Sequence, residues 1–245
     1  MKNSDAWEQE YKKGSLVTLS YEPQVSVKDF IRWIRRDQGF NLENCSLIDI
    51  GCGNGKNSLY AVEHGIQSCF GFDISKTAIS YAQAEQERRG IPSSLLTFKV
   101  DTCIPSPKLP YKDASFDIAL DVTTTNSLTT PERTAFLNEL YRILKPEARI
   151  LVRTLSKDGD EHAKKLLTLS PGPEKDMYKL PETQHTERVF TKKDLEATYL
   201  EAGFTCVHLD SETHYTKVNN RRYKRKYWVA YFAKNPLHTP INKLM

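Results

Sequence analysis

Short apolar runs recur through the middle of the chain, with longer segments between them. The runs at 46–51, 68–74, 95–101, 115–122 and 148–155 have the length and composition of buried strands. Three of the four intervening segments have the pattern of helices, and two of these end at a glycine, Gly65 and Gly90, as helices commonly do. Strands that alternate with helices predict a parallel sheet with helices on both faces.

The two ends of the chain depart from this alternation. Helical spacing at Trp7 and Tyr11, and again over about 26–38, predicts two N-terminal helices. Near the other end, 204–210 and 227–233 have the pattern of strands with no helix between them. A parallel crossover usually needs a helix, so we predict a hairpin whose last strand runs antiparallel to the rest of the sheet.

Length and composition narrow the class of protein. A chain of 245 residues with 39% hydrophobic content suits one large domain. No apolar run approaches the roughly 20 residues that cross a bilayer, and the polar N-terminus lacks the apolar core of a signal peptide. The five cysteines form no C-x-x-C pair, which predicts reduced thiols, no metal knuckle and a cytoplasmic location.

The net charge of +4 comes from one segment, 217–226, which has six basic and no acidic residues. Without it, 29 basic residues face 31 acidic ones. We interpret the segment as a basic loop between the last two strands. It is either a solvated hairpin tip that protects the sheet edge, or a docking surface for RNA or protein. The residues of such a surface would be Arg221, Arg222, Lys224, Arg225 and Lys226.

A glycine-rich turn follows the first strand. Gly51, Gly53 and Gly55 stand between a strand and a helix, where they let a ligand approach the backbone. The spacing is G-x-G-x-G, and Lys56 occupies the position of the third glycine in a dinucleotide fingerprint. Asp49, inside the strand, would repel a pyrophosphate and hold an ammonium group. The turn therefore disfavours a nicotinamide dehydrogenase.

Three more acids stand at the ends of later strands. Asp73 ends the second strand, 22 residues after Gly51, where such folds hydrogen-bond a ribose diol. Asp101 and Asp121 end the third and fourth strands. The carboxyl ends of parallel strands form the edge at which open sheets bind ligands, so these acids are expected at one site.

Four motifs, in order over about 45–155, resemble the class I S-adenosylmethionine-dependent methyltransferases: LIDIGCGNGKNS, GFDIS, VDTCIPSPKLPYKDASFDIALD and LNELYRILKPEARILVRT. The sequence is most similar to the small-molecule and quinone-type members. The resemblance implies an α/β fold with a Rossmann-like, seven-stranded, mostly parallel sheet, helices on both faces and an antiparallel last strand. Within a single domain over 1–245, it implies an N-terminal helical lid at 1–40, a cofactor-binding core at 45–155, a substrate-cover insertion at 156–190, and a C-terminal helix and hairpin at 191–235.

The resemblance also implies how S-adenosyl-L-methionine is held, with S-adenosyl-L-homocysteine as the product. Asp49 and the turn at 51–55 would hold the methionine part, Asp73 the ribose, and Asp101 with its neighbours the adenine. Asp121 and Val122 would line the pocket beside the sulfonium. The predicted cofactor contacts are Trp7, Tyr11, Asp49, Gly51, Cys52, Gly53, Asn54, Gly55, Asp73, Ile74, Asp101, Thr102, Cys103, Asp121 and Val122.

The cofactor implies the mechanism. A sulfonium carries an electrophilic methyl group, which a positioned nucleophile takes by in-line displacement, and a general base is needed only for an acceptor that arrives protonated. His185 is the candidate base, with a solvated loop histidine as the competing interpretation. The predicted acceptor contacts are Thr123, Tyr178, His185 and Arg188.

Three functions stay open from the sequence. The first is a methyltransferase that acts on a small-molecule acceptor. The second is a methyltransferase that acts on RNA or protein docked through the basic segment at 217–226. The third is a noncatalytic S-adenosylmethionine-binding scaffold.

Overall fold

The computed structural model of the chain describes residues 3–14, 20–37, 39–181, 183–218 and 221–235. In these ranges a seven-stranded sheet is packed between helices, and a separate two-stranded sheet lies in the 156–190 insertion. The predicted fold class, a Rossmann-like α/β fold with a mostly parallel sheet, is confirmed.

Each of the five apolar runs forms a parallel strand of the large sheet. The spatial order of these strands along the sheet is 3-2-1-4-5, so the order reverses between the first and the fourth. In such sheets the crevice beside the reversal is the usual ligand site. The strands are β1 (Ser46–Ile50), β2 (Ser68–Asp73), β3 (Leu96–Val100), β4 (Phe116–Val122) and β5 (Leu144–Leu155).

Helices cover both faces of the sheet, and an apolar core lies on each face. Local chemistry sets where they start: the Ser75 hydroxyl accepts a hydrogen bond from the Ala78 N–H, and Thr129 donates to the Glu132 carboxylate. None of the described helices has the length and apolarity to cross a membrane. They are α1 (Asn3–Lys13), α2 (Val25–Arg36), α3 (Lys56–Glu63), α4 (Lys76–Arg88), α5 (Thr130–Ile143), α6 (Glu161–Leu169) and α7 (Lys192–Glu201).

The insertion at 156–190 has more structure than its sequence predicts. Helix α6 lies in its first part and begins after Asp160, whose carboxylate accepts a hydrogen bond from the Ala163 N–H. Two strands that the sequence did not indicate, β6 (Met177–Lys179) and β7 (Thr186–Arg188), pair antiparallel. With three residues each, they are too short to show a period of two.

The last two strands, β8 (Phe204–Val218) and β9 (Arg221–Lys234), form the predicted hairpin. β9 pairs antiparallel with β5, which confirms the antiparallel last strand. The interpretation of 217–226 as a loop is wrong, because the ladder runs on to the pair Val218↔Arg221, with 219 and 220 outside the described residues. Strand pairing needs backbone hydrogen bonds but no buried face, so it continues where the apolar pattern stops.

A buried polar cluster, which we call the Arg225 cluster, ties the insertion to this hairpin. The Arg225 guanidinium lies 3.2 Å from the Asp160 carboxylate and donates to the Tyr178 hydroxyl at 2.6 Å. Tyr178 in turn donates to Glu187 at 2.6 Å. Asp160 and Tyr178 are both fully buried. Arg225 is therefore engaged inside the molecule and does not present an exposed cation for docking.

Candidate functional site

The glycine turn after β1 has a backbone that other residues rarely adopt. Gly51, Gly53 and Gly55 have φ angles of +63°, +58° and +79°. A Cβ at Gly53 would lie 2.3 Å from the Tyr11 hydroxyl, and one at Gly55 would lie 2.5 Å from Phe98. The turn thus needs glycine both for its left-handed backbone and for close contact with its neighbours.

Replacement of Gly55 by alanine tests this double requirement. We expect Gly55→Ala to lower the free energy of unfolding by about 2 kcal/mol more than Gly90→Ala, because a clash with Phe98 adds to the backbone strain that both variants share. Gly90 is the matched control: its φ is +67°, but a Cβ there would meet nothing within 4 Å. Urea denaturation measures both variants, and equal losses would show that the contact with Phe98 is unimportant.

The turn opens onto a cleft of about 660 Å³ at the carboxyl ends of β1, β2 and β4. This volume falls in the range of roughly 300–1,000 Å³ that is typical of small-molecule sites. The cleft brings together most of the predicted cofactor residues and one predicted acceptor contact. They are Trp7, Tyr11, Gly51, Cys52, Gly53, Asn54, Asp73, Ile74, Asp101, Thr102, Cys103, Val122 and Thr123.

Asp73 joins the turn to the end of β2. Its carboxylate accepts hydrogen bonds from the Gly53 N–H at 2.9 Å and the Ser75 N–H at 2.8 Å. Burial raises its pKa, against the effect of these bonds. Because Ser75 supplies the cap of α4, Asp73 is not needed as the helix cap. A carboxylate with spare acceptor capacity on a cleft wall suits a vicinal diol.

Two of the predicted acids lie beneath the cleft, and they do not line it. Asp49 is buried and accepts a hydrogen bond from the Ser58 hydroxyl at 2.6 Å; burial raises its pKa to about 7. Asp121 is buried and accepts from the Thr125 hydroxyl and from the Tyr199 hydroxyl, the latter at 2.8 Å. Gly55 also lies off the cleft wall. Direct contact of these three with a cofactor stays a prediction.

The segment after β3 forms the wall opposite the turn. The Thr102 N–H donates to the Asp101 carboxylate at 2.8 Å, and the Ile104 N–H donates to the Thr102 hydroxyl at 3.1 Å. Burial raises the pKa of the Cys103 thiol to about 12 and that of Cys52 well above its usual value. Both thiols are therefore protonated near neutral pH and unsuited to act as nucleophiles.

Helix α1 lies across the cleft and is held there by Glu8. The Glu8 carboxylate accepts from the hydroxyls of Ser75 and Thr77, each at 2.7 Å. Burial opposes ionisation of Glu8, but these bonds outweigh it and lower its pKa to about 2. The contact therefore stabilises α1 fully at pH values above the ordinary pKa of glutamate, and this stabilisation is lost as the pH falls towards 2. Trp7 and Tyr11 reach the cleft from this helix.

Three of the predicted acceptor contacts do not line the cleft. Tyr178 belongs to the Arg225 cluster. His185 is buried against Trp7, with ring centroids 4.4 Å apart, and its Nε2 lies 3.7 Å from the Glu187 carboxylate. Arg188 faces a second cavity, described below. The acceptor roles of these residues stay predictions.

Sequence reasoning missed several residues of the cleft wall. Lys56 is the most informative of them, because it directly follows the turn and its position at the start of a helix was a usable signal. Burial, and then the charge of Arg153, lower its pKa. The missed residues are Ser4, Gln24, Lys56, Asn57, Phe72, Ile104, Thr124, Ser127, Leu128, Thr129, Glu132 and Thr186.

The residues that line the cleft suit an organic ligand. The described part of the chain has no group of histidine, cysteine, aspartate and glutamate side chains arranged to hold a metal ion. A glycine turn at the strand-order reversal, with an acid at the end of the next strand, defines a nucleoside-binding α/β protein.

The family described as "Methyltransferase domain" matches residues 48–152, which contain the turn, Asp73 and Asp121. This matched part of the chain is a methyltransferase domain, as the resemblance to the class I S-adenosylmethionine-dependent methyltransferases implies. This confirms the family resemblance, and with it the assignment of S-adenosylmethionine as the cofactor.

Individual relatives match the chain in different ways. Norajmaline N-methyltransferase from Rauvolfia serpentina is 31% identical over 108 residues, which are 44% of this chain and 35% of that protein. A S-adenosylmethionine-dependent methyltransferase structure from Methanosarcina mazei has a TM-score of 0.67 at 24% identity, over 81% of this chain and 96% of that one. The Burkholderia thailandensis 1,6-didemethyltoxoflavin-N1-methyltransferase, with bound 1,6-didemethyltoxoflavin and S-adenosylhomocysteine, has a TM-score of 0.67 at 18% identity, over 95% and 87% of the two chains.

The similar structures and the similar sequences support different conclusions. At such identities the two solved structures show a shared fold alone. The chain spans half or less of the length of the curated relatives that it matches. We therefore infer the class of methyl acceptor from the residues of the cleft.

Proposed function

We propose that this protein transfers the methyl group of S-adenosylmethionine to a small-molecule acceptor. The observation that supports this is one continuous, covered cleft. Its wall includes Asp73 and the glycine turn, Val122 and Thr123, and also Leu128 and Thr186. Because Thr186 belongs to the insertion, we place the small acceptor beside the cofactor on this side of the cleft.

The residues on the wall suit the parts of the cofactor. Asp73 accepts hydrogen bonds from the ribose hydroxyls, and the Asp101–Cys103 segment contacts the adenine. Lys56, a half-buried cation at the start of α3, pairs with the carboxylate of the amino-acid part. The sulfonium supplies an electrophilic methyl group, while the protein aligns the acceptor and excludes water with α1 and the insertion.

A macromolecular acceptor has weaker support. Arg225 is held by Asp160 and Tyr178, and the Lys226 N–H also donates to Asp160. Lys224 is exposed, while the side chains of Arg221 and Arg222 lie outside the described residues. The basic segment is thus partly engaged in holding the insertion, which favours the small-molecule acceptor over RNA or protein.

A transfer assay with tritiated methyl-S-adenosylmethionine tests the proposed function. Small-molecule, RNA and protein fractions of the source cell are each offered as acceptors. We expect label in the small-molecule fraction, dependent on the protein. Label in the RNA or protein fraction instead would assign the macromolecular acceptor, and no label in any fraction would leave the noncatalytic scaffold.

His185 is our candidate general base for an acceptor that arrives protonated. Its Nε2 faces Glu187, and its Nδ1 is buried without a hydrogen-bond partner among the described residues. A carboxylate on one ring nitrogen leaves the other able to take a proton. Because the ring packs against Trp7, this role requires Trp7 to shift when the acceptor binds.

Replacement of His185 by glutamine tests this role. We expect His185→Gln to lower kcat about a hundredfold, the lower end of the usual range for loss of a general base. The Kd for S-adenosylhomocysteine should not change. His208→Gln, on the far hairpin, is the control. An unchanged kcat in His185→Gln would show that this residue takes no part in the transfer.

A further inference from the structure

A second cavity, of about 550 Å³, lies between helices α5 and α7, outside the cofactor cleft. We call it the α5–α7 groove. Its α5 side includes Arg133 and Thr134, its α7 side includes Asp194 and Glu201, and Arg188 of β7 closes one end. Neither the proposed transfer reaction nor the packing of the core uses this space.

Two guanidinium groups lie near each other beside the groove. Arg133 and Arg188 lie over the same buried ring, that of Phe190, at 5.2 and 4.9 Å from its centroid. Arg133 is 3% exposed, and burial, followed by the charge of Arg188, lowers its pKa to about 10. Two like charges held this close destabilise the empty site unless an anion joins them.

The hydrogen-bond partners of these two arginines are all neutral groups. Arg133 donates to the carbonyls of Thr125 and Leu128, and Arg188 donates to the Thr130 hydroxyl at 3.1 Å. The Arg188 Nε is buried and has no hydrogen-bond partner among the described residues. Across the ranges that the structure describes, neither arginine forms an ion pair within 4 Å, although sixteen such pairs occur elsewhere.

The nearby acids are occupied or distant. The Glu174 carboxylate accepts from the N–H and the hydroxyl of Thr130, at 2.9 and 2.7 Å. The Asp194 carboxylate accepts from the Thr191 hydroxyl at 2.7 Å, at the start of α7. Glu201 is exposed at the opposite end of that helix. Burial opposes ionisation of Glu174, but its bonds from Thr130 and then the charges of Arg133 and Arg188 lower its pKa, so it offsets the arginine pair in part. Among the described residues, Asp194 and Glu201 form no ion pair with either arginine.

We propose that the α5–α7 groove binds an oxyanion group, a phosphate or a carboxylate, between Arg133 and Arg188. A guanidinium presents a planar set of donors that matches these anions and is weakly hydrated, so it gives up water readily. The anion is either a free ion or a charged group of a larger ligand that reaches the groove. Since Thr186 lines the cofactor cleft and Arg188 lines the groove, β7 connects the two sites.

Thermal unfolding of the full chain in inorganic phosphate tests this proposal. Chloride at equal ionic strength is the reference, and saturating S-adenosylhomocysteine keeps phosphate out of the cofactor cleft. We expect phosphate to raise the Tm by roughly 3 °C at ten times its Kd. Arg188→Gln should abolish the rise, while Arg32→Gln, which alters an exposed arginine of α2, should keep it.

A second variant avoids removal of a partly buried group. Thr134 is exposed and lines the groove, so Thr134→Glu places a carboxylate where the anion binds and should also abolish the phosphate effect. Equal Tm values in phosphate and chloride for the unmodified protein would overturn the proposal. So would a phosphate effect that survives in both Arg188→Gln and Thr134→Glu.

The source of the anion follows from the transfer assay with its most active fraction. If phosphate inhibits transfer by the unmodified protein but not by Arg188→Gln, the anion belongs to the acceptor. If phosphate raises the Tm without inhibiting transfer, the groove takes a free ion. The groove is tested separately from the proposed function, because the comparison of variants in phosphate does not depend on turnover.

Discussion

Replacement of Asp73 by alanine should weaken S-adenosylhomocysteine binding about a hundredfold while the fold survives. We propose that the Asp73 carboxylate accepts two hydrogen bonds from the ribose hydroxyls. Each hydrogen bond to a charged group contributes on the order of 1.5 kcal/mol or more. Its two backbone bonds, from Gly53 and Ser75, are also lost, so we expect the free energy of unfolding to fall by about 1–2 kcal/mol.

Two further variants make the Asp73 result specific. Asp73→Asn keeps one acceptor oxygen and should lose about tenfold in affinity. Asp29→Ala, at an exposed aspartate of α2, should change nothing. Isothermal titration calorimetry gives the Kd values, and circular dichroism confirms the fold. A Kd for Asp73→Ala within twofold of the unmodified protein would refute the ribose assignment.

Replacement of Arg225 by methionine should lower the free energy of unfolding by about 3–5 kcal/mol. The change removes the guanidinium that faces Asp160, a fully buried carboxylate, and a buried charge without its partner is strongly destabilising. The loss should be concentrated at 156–190, because Asp160 and Tyr178 belong to that segment and Arg225 joins them to the hairpin. Hydrogen exchange measures that local loss.

The Arg225 prediction has a control and a rescue. Arg32→Met removes an exposed arginine paired with Asp29 and should cost less than about 0.5 kcal/mol. Asp160→Asn added to Arg225→Met removes the uncompensated charge and should recover part of the loss. Arg225→Met and Arg32→Met with the same stability would mean that the Arg225 cluster does not hold the insertion.

Much of the fold was predictable because its signals are local. Buried parallel strands appear as continuous apolar runs, and glycines and serines mark the ends of α3 and α4, so these elements fall within a few residues of their predicted bounds. The hairpin was predicted too short, because its outer part carries charged residues whose pairing depends only on the backbone. The two strands of the insertion gave no period at all.

Some residues of the site could also be predicted from the sequence, and others could not. Residues on the turn and at strand ends, such as Asp73 and Asp101, were predictable because the topology fixes where strand ends lie. Asp49 and Asp121 turned out to be buried beneath the cleft, since strand residues alternate between faces and a motif does not tell which way a carboxylate turns. Leu128, Thr129 and Thr186 reach the cleft through tertiary packing, which left no local pattern to detect.

The most direct test of the account is a crystal structure of the protein with S-adenosylhomocysteine at saturating concentration. The account predicts the ribose hydroxyls within hydrogen-bond distance of the Asp73 carboxylate, and the amino-acid part over Gly51 and Gly53. It also predicts the adenine beside Thr102 and Cys103. A nucleoside bound anywhere else, or a cleft without ligand under these conditions, would contradict it.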